Sequence, residues 1–179
     1  MQWKIDSAHT TASFSVRHMM ITTVRGTFDK VSGTITWDPA KRASASVEAQ
    51  IDAATINTGM PDRDNHLRSA DFFNVEQHPY ITFRSTGFTL KDDDHGVLVG
   101  ELTIAGVTRT VELDVSFDGE AVNPWGVRVA GFTAETKINR EDFGLTWNQV
   151  LEAGGVLVSK EVKITLDVQA SLVAEGVTA

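Results

Sequence analysis

The densest run of chemically capable side chains is Asp62-Arg63-Asp64-Asn65-His66-Leu67-Arg68-Ser69. Asp64 and His66 are the residue types of an acid and a base. Arg63 and Arg68 are those of an anion clamp. Spacing argues against catalysis, because residues two apart on a helix do not face each other, whereas Asp64 and Arg68, four apart, can pair. The plainer reading is a network of ion pairs and caps that fixes this segment over the rest of the fold, and no catalytic residue is assigned. His9, His18, His66 and His78 could each ligate a metal, but no HxxxH or HExxH spacing occurs and there is no cysteine, so no metal is expected. Neither a GxSxG elbow nor a GxGxxG or Walker A loop is present, so no nucleotide or other cofactor is expected.

What must position these groups is written in period two. Val162, Ile164, Leu166, Val168, Ala170 and Leu172 alternate with Lys163, Thr165, Asp167, Gln169 and Ser171, the pattern of a half-buried strand. Val111, Leu113, Val115 and Phe117 repeat it, as do Phe14, Val16, His18 and Met20. From Val24 to Trp37 the apolar phase moves from even to odd positions at Asp29-Lys30, and a similar switch falls at Gly87. A bulge at each place would keep both halves facing inward and bend the strand as a barrel requires. Ala43–Ile51, Val97–Ile104 and Val127–Ile138 are further strands. Short helices are expected at 61–69, with Pro at the first turn, and at 149–153, ahead of Gly154-Gly155.

The 179 residues suit one domain, 1–179, with a core over about 3–172, and no linker or repeat marks a second. The fold class expected is all-β: an antiparallel barrel of about eight strands with one or two short helices. A net charge of −8, with basic residues scattered among acidic ones, argues against a nucleic-acid partner. No apolar stretch is long enough for a membrane-spanning helix, and the start Met1-Gln2-Trp3-Lys4-Ile5-Asp6 does not read as a secretory signal, which gives a cytoplasmic expectation. A barrel of this size is either filled by side chains or holds one ligand. Inward phase selects Phe14, Val16, His18, Met20, Phe28, Ile35, Trp37, Phe83, Phe132, Phe143 and Trp147 as an apolar lumen, with Arg17 and Arg84 as head-group candidates.

Ordered motifs carry a family resemblance. They include Trp3-Lys4-Ile5-Asp6-Ser7-Ala8-His9-Thr10, Phe14-Ser15-Val16-Arg17-His18, Arg63-Asp64-Asn65-His66-Leu67-Arg68-Ser69 with Asp71-Phe72-Phe73, and Ile138-Asn139-Arg140-Glu141-Asp142-Phe143-Gly144-Leu145. The chain resembles the YceI-like, polyisoprenoid-binding proteins from Trp3 to about Val168. The resemblance implies an extended, lipocalin-like, eight-stranded barrel and a homodimer. It also implies a long-chain amphiphile in the lumen: an isoprenoid quinone, a polyisoprenoid pyrophosphate or a fatty amide. Binding, storage or transport without catalysis is the leading reading. An acid–base enzyme acting on a lipophile through Asp64, His66 or His18, and a filled barrel that works through its surface, are the rivals.

Overall fold

A computed structural model describes residues 1–149 and 157–174. Ten strand segments form one antiparallel sheet: β1 (Gln2–Ile5), β2 (Thr11–His18), β3 (Thr22–Phe28), β4 (Val31–Trp37), β5 (Ala45–Asp52), β6 (Tyr80–Leu90), β7 (His95–Ile104), β8 (Val107–Val122), β9 (Arg128–Asn139) and β10 (Val158–Leu172). The neighbour order is β1-β4-β5-β6-β7-β8-β9-β10-β2-β3, and β1 also pairs with β10, which closes the sheet on itself.

Two interruptions explain why ten segments make an eight-stranded barrel. β10 pairs with β2 from Val158 to Asp167 and then with β1 from Ala170 to Leu172, so β1 and β2 are one strand broken by a 3-10 turn at Ser7–His9. Asp6 caps that turn, accepting from the Ala8 amide at 2.9 Å, and the Thr10 hydroxyl bridges to the Gln169 backbone. β3 and β4 are likewise one strand bent at Asp29-Lys30, where Lys30 takes a φ of 54°. Phe28 and Val31, on opposite sequence phases, are 6% and 1% exposed, so the bend keeps both inward as the phase switch implies. The second switch is a bulge between Ser85 and Gly87 in the β6–β7 ladder. A third, between Phe117 and Gly119, has no such phase signal in the sequence.

The helix expected at 61–69 is α1 (Pro61–Arg68), with Pro at its first turn and acidic residues near its start. The one expected at 149–153 lies outside the described residues except for Gln149.

The barrel has two unlike ends. The hairpin end carries the connections 38–44, 91–94 and 123–127, together with Trp3 and Trp37. There the Trp3 indole donates to the Trp37 carbonyl at 3.0 Å, and Trp37 packs on Phe117 and Phe132 with ring centroids 5.1 and 5.2 Å away. The clasp end carries the turns 19–21 and 105–106, the long excursion 53–79 with α1, and the segment that follows β9.

Candidate functional site

The inward faces of the strands do not meet at the barrel axis. They enclose a cavity of about 270 Å³ walled almost wholly by apolar atoms. Its wall runs from Trp37, Phe88, Leu90 and Phe117 at the hairpin end, through Val47, Leu98, Leu113 and Leu166, to Leu67, Phe73, Leu145 and Val158 at the clasp end. Val158 and Val168 both line it, ten residues apart on one strand. A bulge between Val158 and Val162 takes up two of those residues, so at roughly 3.3 Å per residue and a strand tilt of about 35–45° the span is roughly 20 Å along the barrel. So modest a volume over such a length makes a bore for one chain.

Three phenylalanines keep the bore open. A Cβ added to Gly26 would lie 2.4 Å from the Phe14 ring, one on Gly96 2.4 Å from Phe88, and one on Gly100 2.5 Å from Phe83. The tip of each ring lies over a neighbouring strand's glycine, where an ordinary side chain would displace it. Gly33 has a different reason: a Cβ there would meet the Glu48 carbonyl oxygen at 2.1 Å, so this glycine permits close approach of β4 to β5.

The structure gathers seven of the selected residues, Phe14, Val16, Phe28, Ile35, Trp37, Phe83 and Phe132, on the cavity wall. It places four elsewhere. Met20 sits in the β2–β3 turn and is 62% exposed, because the turn takes it out of the strand's alternation. His18 ends β2, half-buried and off the wall. Phe143 is buried in the 3-10 segment after β9 but does not border the cavity. Trp147 is half-buried against His66 and Phe72, with ring centroids at 4.7 and 5.5 Å. Both arginine candidates face outward. Arg17 donates to the Thr23 hydroxyl and to the Met20 and Ile21 carbonyls, tying down the turn. Arg84 is exposed on the outer wall, 3.6 Å from Glu48.

The polar cluster on α1 is structural in its contacts. Asp64 is buried and accepts from the Thr58 amide at 2.9 Å and the Thr58 hydroxyl at 2.5 Å, where an Asp64–Arg68 pair was expected. Arg68 instead donates to the carbonyls of Ala54 and Ile56 and to Asn65, and Arg63 donates to Thr58. His66 bonds to Asp71 at 2.9 Å, so the suggested acid and base are committed to different partners.

Polar side chains reach the cavity at both ends. At the hairpin end Arg42 donates to the Asp93 carbonyl at 2.8 Å and to Asp94 at 3.2 Å, with its guanidinium 4.7 Å from the Phe117 ring centre. At the clasp end Thr136, on the inward phase of Ala134 and Ile138, and Arg140, the first residue after β9, line the wall. Arg140 is only 3% exposed and donates to the carbonyls of Leu145, Trp147, Val158 and Ser159. Those bonds use four of its five N–H groups. Burial pulls its pKa down and Glu141 opposes that, but a guanidinium stays charged. Neither Arg42 nor Arg140 stands out locally in the sequence as a wall residue. The aliphatic walls of β8 and β10 did show, in the alternation at Val111–Phe117 and Val162–Val168.

A family model for the YceI-like domain matches residues 3–170. The chain belongs to the YceI-like family. A UPF0312 protein of Staphylococcus epidermidis is 37% identical over 172 residues, covering 96% of this chain and 98% of that one. One from Staphylococcus aureus is 36% identical over 168 residues, covering 93% and 95%. The crystal structure of a Campylobacter jejuni YCEI protein superposes with a TM-score of 0.76 at 32% identity, over 88% of this chain and 90% of that one. Burkholderia cenocepacia BcnA shares the fold at TM-score 0.80 and 24% identity, over 92% and 98%. So does a polyisoprenoid binding domain from Saccharophagus degradans, at 0.68 and 13%, over 96% and 98%. Among the described residues no helix is long and apolar enough to cross a membrane.

Proposed function

We propose that this YceI-like protein binds one long-chain lipophile in its lumen and carries or stores it unchanged. The observation that supports this most is the bore itself: narrow, apolar, and roughly 20 Å long by the strand geometry above. One leaflet of a bilayer offers acyl chains about 15 Å long, half of the ~30 Å hydrocarbon core. The bore exceeds that and suits a longer tail such as a polyisoprenoid, the ligand class for which the Saccharophagus degradans domain is described. An isoprenoid quinone, a polyisoprenoid pyrophosphate and a fatty amide all present such a tail. Transfer of each CH₂ from water into the bore contributes about 0.8 kcal/mol.

The tail points toward the aromatic cap, where Arg42 and Asp94 satisfy each other. The head group lies at the clasp end, near Thr136 and the remaining N–H of Arg140, rather than at Arg17 or Arg84. Gly26→Ala tests the bore through Phe14, with a lesser contact at the Thr58 methyl, 3.0 Å from the added carbon. The added methyl displaces the Phe14 ring on the bore wall, and native mass spectrometry should show a clear loss of isoprenoid uptake with the fold intact by circular dichroism. Undiminished uptake would place the ligand elsewhere. Turnover of bound lipid to a product would favour the acid–base enzyme.

A further inference from the structure

The turn between β2 and β3 presents Met19, Met20 and Ile21 to solvent, 41%, 62% and 71% exposed. Its two central residues have φ values of 53° and 61°, and the Ile21 amide donates to the His18 carbonyl at 3.1 Å. Turns with both central residues at positive φ are the province of Asn-Gly and its kin. Methionine at both positions is strained as well as water-exposed. Folding gains nothing from that combination, so it points to something outside the chain.

Two features choose the occupant. Residues 11–28, the whole β2–β3 hairpin, contain Arg17, His18 and Arg25 and no acidic residue, in a chain of net charge −8. Arg17 is held at the tip through its bonds to the Met20 and Ile21 carbonyls. The tip is also narrow. Three convex side chains fall far short of the roughly 800 Å² per partner of a standard protein interface, but they suit insertion into the boundary of a lipid leaflet below a basic collar.

We infer that the Met19–Ile21 tip docks this protein on an anionic lipid bilayer. The tip stands at the clasp end, where Val16 and Val158 line the bore and Val158 lies opposite His18. Docking there sets that end of the lumen against the membrane surface. This goes beyond the lumen reading and is measured separately, since vesicle binding needs no occupied bore.

The test is sedimentation of the wild-type protein with vesicles of phosphatidylcholine, with and without phosphatidylglycerol. The wild type should pellet with the anionic vesicles, and less so as salt is raised. Replacing Met19→Asn, Met20→Gly and Ile21→Thr removes the apolar tip without adding charge. It should weaken vesicle binding roughly tenfold or more while raising the melting temperature by about 2–4 °C, because the turn strain is relieved. Arg25→Gln should lower affinity about fivefold, on anionic vesicles only. Absence of wild-type pelleting, or unchanged binding by the triple variant, overturns the inference. So does a wild-type dimer in sedimentation velocity that the triple variant dissociates, which would make the tip an interface between copies.

Discussion

The two ends of the barrel close by different physics. At the hairpin end, short connections bring Trp3, Trp37, Phe117 and Phe132 together, and the charges above them, Arg42 and Asp94, have side chains 31% and 58% exposed. The seal is apolar contact, with an ion pair resting on it. At the clasp end the chain leaves the sheet for long excursions, and buried or half-buried polar side chains tie these back by their backbone: Asp64 accepts from the Thr58 amide, Arg68 donates to the Ala54 and Ile56 carbonyls, and Arg140 donates to those of Leu145, Trp147, Val158 and Ser159. Side chains that look catalytic in a sequence can thus be the substitute for secondary structure where a loop must be buried.

That contrast ranks the consequences of substitution. Arg140→Ala should be the most damaging, since it takes a donor from four carbonyls, three at part-buried contacts and one fully buried, and only that of Val158 keeps a second side-chain donor, Asn148, among the described residues. A loss of about 4 kcal/mol is expected in urea unfolding. Trp37→Ala at the other end should cost about 3 kcal/mol. The two differ in what remains. The Trp37 gap opens on an existing cavity, so the variant should keep a cooperative transition and bind bulkier lipophiles. The Arg140 variant should also lose protection of the Leu145 and Val158 amides in hydrogen exchange. Equal exchange behaviour would erase the distinction between the ends.

The fold was legible because period two records which way each strand faces. The phase switch at Asp29-Lys30 even located the bend between β3 and β4. The site was legible only where that rule applies. Phe143 and Trp147 follow β9, where alternation has no meaning, and Met20 lies in a turn that breaks it. Arg17 and Arg84 each neighbour an inward residue, Val16 and Phe83, and therefore face out. Arg42 lies in a connection, where alternation does not apply, and Arg140 bonds backbone carbonyls, so no partner side chain reveals its role in the sequence. The family resemblance covers nearly the whole chain, yet its Arg63–Ser69 motif secures the clasp and says little about the ligand.

Smaller effects should follow at the hairpin end. Arg42→Met removes a partly exposed ion pair and a cation–π contact but keeps an aliphatic stem over Phe117, so about 1 kcal/mol or less should be lost. A cost of several kcal/mol in urea unfolding would mean that this end, too, depends on a buried charge.

The least of these effects lies at the same end, in the β6–β7 loop. His95 Nδ1 stands 2.8 Å from Asp92 on the surface, and this hydrogen bond chiefly holds the His95 pKa above its ordinary value. Asp92 is held low, first by the Asp94 amide and then by His95. The signs are opposite. The aspartate's contribution to stability is present above the ordinary carboxylate pKa and lost as pH falls through its lowered value. The histidine's is full below the ordinary imidazole pKa, about 6.5, and lost as pH rises through its raised value. Both operate together from about pH 4 to 6.5. NMR titration of the His95 ring should therefore show a raised midpoint that falls back toward the ordinary value in Asp92→Asn, with scarcely any change in melting temperature, since both side chains are well exposed. A large pH-dependent shift in melting temperature would show the β6–β7 loop to be bound into the aromatic cap more tightly than its exposure implies.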